Sequence, residues 1–189
     1  MPNIKWAFGL FIDNSFEGVC TIGKPASNSL CEGICGKELK DKVWELNRLC
    51  INDGLPPNTL SQFISKVLKL LKPEDIILVS YADSGAGHCG YIYQATNFIY
   101  TGETKERTDK YAPNGKHSRH YTDTYKIYRK IRTSKYRYVY FTGKSKQLYL
   151  NKLNYKILPY PKTENHNYIL GEKIKEKVIN TETGETFYE

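Results

Sequence analysis

The chain has 189 residues, 40% of them hydrophobic and 13% aromatic, enough apolar material for one packed domain and too much for a disordered chain. No apolar run reaches the roughly 18 residues of a membrane span, and "MPNIKWAFGLFIDN" lacks a basic stretch followed by a long apolar core, so a soluble, cytoplasmic protein is expected. The net charge of +8 is local: residues 103–160 hold 15 Lys+Arg against 4 Asp+Glu, whereas 1–102 hold 9 against 10 and 161–189 hold 4 against 6.

In chain order, residues 4–13 and 17–23 read as a strand hairpin turning at Asn14. Residues 24–41 read as a loop with a short helix toward its end, and 43–51 as a third strand with Val43, Glu45, Asn47, Leu49 and Ile51 on one face. The clearest helix is 59–72, where Leu60, Phe63, Ile64, Val67, Leu68 and Leu71 recur at helical spacing; Asn58 is its expected cap and Pro73 its stop. Residues 75–82 read as a buried strand, and a second helix is expected from His88 to about Asn97. After a polar stretch, 124–131 and 135–141 alternate with period two and predict an antiparallel hairpin, with Tyr136, Tyr138 and Tyr140 on one face. The organisation expected is a single α/β (α+β) domain over 1–189, with a core portion to 102, a basic portion over 103–160 and a tail beyond.

The basic portion also holds 10 of the 16 tyrosines. Cations interleaved with aromatics suit phosphate contacts and base stacking, so nucleic acid is favoured over a merely solvated basic surface. Lys116, His117, Arg119 and His120 form a compact cluster, with Arg129, Arg132, Lys135 and Arg137 following on the hairpin. With His88 the two neighbouring histidines allow a metal site, but no clear ligand motif supports one, and a phosphate-binding loop needs fewer coincidences. Five cysteines without framework spacing imply free thiols, and Cys31 with Cys35 lacks a second pair to complete a zinc site.

"SYADSGAGHCG" places Ser80, Tyr81 and Asp83 where a strand ends, the ligand side of an open α/β sheet, with His88 close behind. Asp83 suits a base or an orienting group, against the plainer role of a turn former. His88 suits a base, a metal ligand or a cap. A hydrolytic triad is disfavoured because no nucleophile elbow or oxyanion motif accompanies these residues. Glu45, Asn47 and Arg48 are polar within an apolar strand, which calls for a substrate contact or a salt-bridge network.

The order of strands and helices resembles the GNAT acetyltransferase fold, a mixed central sheet with helices on both faces. "ELNRL" (45–49), "NTLSQFIS" (58–65), "VSYAD" (79–83), "GHCGYIYQATNFIYTG" (87–102), "KHSRH" (116–120) and "KYRYVYF…LPYPK" (135–141, 158–162) together resemble the Mom family. That resemblance implies a phage- or prophage-encoded enzyme that adds a small carbamoylmethyl- or acetamido-type group to the exocyclic N6 of adenine in DNA, shielding phage DNA from restriction. It implies an acyl-CoA-like donor, with Asn47, Arg48, Asn58, Ser61 and Asn97 as donor contacts and Tyr93 as general acid; Asn97 replaces the glycine usual after that helix. Two departures stand out. "LPPNTLSQ" replaces the glycine-rich phosphate loop, and an N-terminal His-Tyr segment of some Mom relatives has no counterpart here. A GNAT acting on a protein, tRNA or small amine, or a DNA-binding protein without catalysis, are the alternatives. The oligomeric state stays open, a homodimer among the options.

Overall fold

The computed structural model describes residues 3–162 and 175–189. In chain order it contains β1 (Ile4–Ile12), β2 (Ser15–Gly23), α1 (Asn28–Cys35), β3 (Val43–Ile51), α2 (Thr59–Leu70), β4 (Ile77–Asp83), α3 (Tyr91–Ala95), β5 (Ile99–Glu103), β6 (Arg107–Lys110), β7 (Tyr128–Arg132), β8 (Lys135–Phe141), α4 (Lys146–Asn151), β9 (Lys177–Asn180) and β10 (Thr186–Tyr188). This is a mixed α+β protein with few helices, as the sequence led one to expect. Two compact units interleave along the chain. Unit 1 takes residues through Tyr81, Gly90–Gly102 and Arg137–Pro161; unit 2 takes Ala82–Cys89, Glu103–Tyr136 and the described residues from Lys162 onward.

Unit 1 is built on a six-stranded sheet of order β1-β2-β3-β4-β8-β5. It is mixed: β1/β2 and β2/β3 run antiparallel and β3/β4 parallel. The first hairpin turns at Asp13 and Asn14, both with positive φ, the two-residue geometry whose twist matches the flanking strands. One core gathers Cys31, Ile34 and Cys35 of α1 with Val43, Ile77, Val79, Val139 and Phe141 of the sheet and Tyr149 of α4. Helix α2 buries Phe63, Ile64, Val67 and Leu68, the stripe its periodicity announces.

Asp75 locks the start of β4. Its carboxylate accepts from the Ser145 hydroxyl at 2.6 Å and the Ser145 N–H at 2.8 Å, with the Tyr149 hydroxyl at 3.3 Å. The Ser145 hydroxyl foremost, against some burial, holds Asp75 below its ordinary value of 3.8. A carboxylate depressed in the folded state stabilises above its unfolded pKa and loses that contribution as pH falls through the folded one. The denaturation midpoint of Asp75→Asn should therefore lie well below wild type at pH 7, and the gap should close below about pH 3.8. A gap that is constant with pH would show that the charge on Asp75 does not contribute.

Unit 2 contains a four-stranded antiparallel sheet of order β10-β9-β7-β6. Two expectations are corrected. Strands β7 and β8 do not form a hairpin, because β7 pairs with β6 and β9 while β8 enters the six-stranded sheet. The expected tail supplies β9 and β10. No described helix is long and apolar enough to cross a membrane.

Candidate functional site

In unit 1 the site begins where β3 and β4 stop pairing. Their parallel ladder covers only Val43–Glu45 against Ile77–Val79. Past it, the buried Ser80 hydroxyl donates to the Leu46 carbonyl at 3.2 Å. On the other edge of β3 the register against β2 slips by one residue: Ile22 faces Leu46, but Thr21 faces Arg48. Asn47 is the extra residue of this bulge, a device that re-aims a side chain. Its Oδ1 accepts from Thr21 Oγ1 at 2.6 Å, whereas its Nδ2 is buried and has no hydrogen-bond partner. Gly23 makes room, since a Cβ there would stand 2.9 Å from that nitrogen. An unpaired buried N–H costs about 1–3 kcal/mol, so this amide is primed for an acceptor.

Tyr93 lies on α3, and the Ser80 hydroxyl forms a hydrogen bond with its phenol. Burial raises its pKa, with that hydrogen bond opposing, so the phenol stays protonated at neutral pH. Its ring also packs against Phe98 and Tyr138, with centroids 5.3 and 5.2 Å away. Tyr81 packs against the unit 1 core, and burial raises its pKa although the Arg137 charge opposes.

At α2, Asn58 does not cap with its side chain. It adopts φ 64°, the left-handed region, and its carbonyl accepts from Ser61 Oγ at 2.9 Å and from the Gln62 N–H at 2.9 Å. Thr59 N–H and Oγ1 both turn to the Pro56 carbonyl. What the first turn still offers a phosphate is the N–H of Leu60 and of Ser61. The Asn58 side chain is left without a capping bond, while the Ser61 hydroxyl is turned to the Asn58 carbonyl. Asn97 is not at this end. It follows α3 with φ 61° and lines a cleft beside Lys69 and Lys72. Arg48 is exposed on β3.

In unit 2, Asp83 ends β4. Its Oδ1 accepts from Thr133 Oγ1 at 2.7 Å and from the Gly85 N–H at 3.0 Å, and its Oδ2 stands 3.2 Å from Lys135 Nζ. Burial works against the charge, but Thr133, Lys135 and the Gly85 N–H outweigh it and hold the carboxyl below its ordinary value. Asp83 is thus a fixed anion that orients better than it accepts a proton. It lines a cleft of about 580 Å³ with Lys130, Arg132, Lys135, Lys175 and Lys177. Thr133, in the connection between β7 and β8, was not legible as its partner, since nothing in a sequence pairs residues 50 apart.

His88 is not at a helix start. It sits in the loop between positive-φ Gly87 and Gly90, its N–H donating to the Asp83 carbonyl at 3.1 Å. Lys116, His117, Arg119 and His120 are exposed around a short 3-10 turn, and His117 and Arg119 line a second unit 2 cleft of about 340 Å³ with Lys110 and Arg129. Arg132 pairs with Asp109 at 2.8 Å. No group of three His, Cys, Asp or Glu among the described residues is placed to hold a metal. Burial pushes the Cys20 thiol up to about 12 and Cys35 up to about 11, so neither offers a thiolate at neutral pH.

Two of the tyrosines counted for base stacking lie in the core. Tyr138 and Tyr149 are fully buried, not available for base stacking. Arg137, expected on a nucleic-acid face, is engaged within unit 1: Nε donates to Thr101 Oγ1 at 2.9 Å, Nη2 to the Thr101 carbonyl at 2.8 Å, and the guanidinium lies 3.4 Å from the Tyr155 ring centre. Arg137→Ala should lower the thermal midpoint by several degrees, and an unchanged midpoint would show that these contacts do not support unit 1.

Against known proteins, residues 1–162 match the model of the Mom protein family. Methylcarbamoylase mom of Escherichia phage Mu is 32% identical over an alignment 137 positions long that covers 62% of this chain and 56% of that protein, so the match spans little more than half of its length. Among solved structures, an N-acetyltransferase from Staphylococcus aureus Mu50 superposes with a TM-score of 0.47 at 13% identity, covering 71% of this chain and 66% of the other.

Proposed function

This chain belongs to the Mom protein family, and on that premise we propose that it is a phage DNA-modification enzyme. It transfers a small carbamoylmethyl- or acetamido-type group to the exocyclic N6 of adenine. The observation that carries the reading is the family match across residues 1–162, which includes Asn47, Ser80, Asp83 and Tyr93. The methylcarbamoylase name of the phage Mu relative supports the class of group transferred.

The division of labour follows the chemistry of each unit. In unit 1 the unpaired Asn47 Nδ2 suits the carbonyl of the group to be transferred, and protonated Tyr93 suits a departing anion. An acyl-CoA-type donor would supply an activated carbon there, its phosphates meeting the N–H groups of Leu60 and Ser61. In unit 2 the cationic cleft around Asp83 and the Lys116–His120 turn suit DNA phosphates, while Asp83 accepts from the adenine amine and orients it. N6 lies in the major groove of a stacked duplex, so the target base flips out to react.

The test is to express the chain in bacteria, digest their DNA and weigh the nucleosides. A heavier deoxyadenosine, with DNA that resists restriction, is expected. Unmodified DNA alongside an acetylated protein or tRNA would replace this reading with a general acetyltransferase, and retained DNA affinity with no modified product would leave a binding protein.

A further inference from the structure

We propose that unit 1 carries a separate phosphate-binding site at the C-terminal end of α2. A cleft of about 250 Å³ lies there, lined by Ser65, Lys69 and Lys72 with Asn97, Thr142 and Lys146. No carboxylate lines it among the described residues, and none of its three lysines takes part in an ion pair there. Of the carboxylates nearest in sequence, Glu74 does not line the cleft and Asp75 is spent on Ser145 and Tyr149. Lys69, in the last turn of α2, suits the helix dipole by itself. That account does not extend to Lys146, which arrives on α4 and brings a third positive charge to one concavity. Like charges gathered without a counter-ion repel, and an anion turns that repulsion into attraction.

The polar groups around the lysines suit a phosphate. Asn97, held in the left-handed region just past α3, lines the cleft with its side-chain amide, and Thr142 lines it as a fixed wall. Thr142 is anchored to the start of β4, its N–H donating to the Ile76 carbonyl at 2.9 Å and its Oγ1 accepting from the Ile76 N–H at 3.0 Å. The site is remote from the first turn of α2, since a helix of 12 residues rises about 18 Å. It therefore takes a phosphate other than one held by the N–H groups of Leu60 and Ser61. The chemistry is a phosphate monoanion or diester, from a polynucleotide backbone or from a free small phosphate. Such a site binds its anion whether or not the chain modifies DNA.

The test titrates inorganic phosphate into the full chain while following the Asn97 and Gly143 amide resonances. Duplex DNA binding is measured over a salt series in parallel, both for wild type and for Lys69→Ala/Lys72→Ala/Lys146→Ala. All three lysines are exposed, so the triple variant should keep the wild-type circular dichroism. Saturable shifts at both amides, with at least a tenfold loss of phosphate affinity in the variant, are expected. If the phosphate is that of DNA, the slope of log K against log salt also falls by about 2–3, at about 0.9 for each phosphate no longer neutralised; an unchanged slope in a variant whose amides no longer shift assigns a free phosphate. Shifts that never saturate, or that persist in the triple variant, overturn the site.

Discussion

Asp83→Ala should reduce the modified nucleoside in expressing cells by 100-fold or more while duplex DNA affinity stays the same or rises. Losing the group that orients the reacting amine costs about 10²-fold, the scale of a misplacement of about 1 Å. Affinity should not fall, because the substitution removes one carboxylate from a cleft that holds five cations against Asp83, Glu106 and Glu176, and frees Lys135. Asp83→Asn separates two roles. Its amide oxygen can still accept from Thr133 and the Gly85 N–H, so appreciable product from Asn and none from Ala assigns orientation; loss in both assigns the charge. Because the partners hold Asp83 below its ordinary value, product formation in wild type should show no titration of this group between pH 6 and 8. Full product from Asp83→Ala would remove the residue from the mechanism.

Much of unit 1 was legible because its signals are local. The stripe of α2 and the alternation of β1 and β2 are periodicities, β4 is a short apolar run, and burial follows each. What escaped is non-local or a single-residue event. Period two announces a strand but not its neighbour, so β7 and β8 looked like a hairpin although their partners lie elsewhere in the chain. The bulge at Asn47 shifts register by one residue, which alternation over 43–51 hides; it puts Leu46, not Asn47, into the core. The helix expected from His88 begins only at Tyr91, and the glycines at 87 and 90, both with positive φ, were the signal available. Of the site, Ser80 and Tyr93 were named and do meet, and Asp83 was named without Thr133. The tyrosine count could not tell core rings from surface ones.

Gly90→Ala should destabilise unit 1 by about 2–5 kcal/mol and weaken the product yield with it. Two costs add. A left-handed alanine is worse than glycine by about 1–2 kcal/mol, and overpacking a tight core adds about 1–3 kcal/mol. Gly90 has φ 80°, and a Cβ on it would stand 2.7 Å from Tyr138 Cζ and 2.9 Å from its hydroxyl. The Tyr138 ring has nowhere to retreat, being fully buried between Tyr93 and Tyr100 at 5.2 and 5.4 Å, with Gln94 Nε2 donating to its hydroxyl at 3.1 Å. Gly54→Ala, also in unit 1, is the control: its φ is 79° and nothing lies within 4 Å of the added methyl, so it carries the backbone penalty alone. Denaturant titrations of both variants therefore isolate the clash as their difference. The loss reaches the chemistry because the Gly90 carbonyl accepts the N–H groups of Tyr93 at 2.9 Å and Gln94 at 3.1 Å, so displacing it displaces the phenol from Ser80. If Gly90→Ala loses no more stability than Gly54→Ala, the contact between α3 and Tyr138 is not what positions Tyr93.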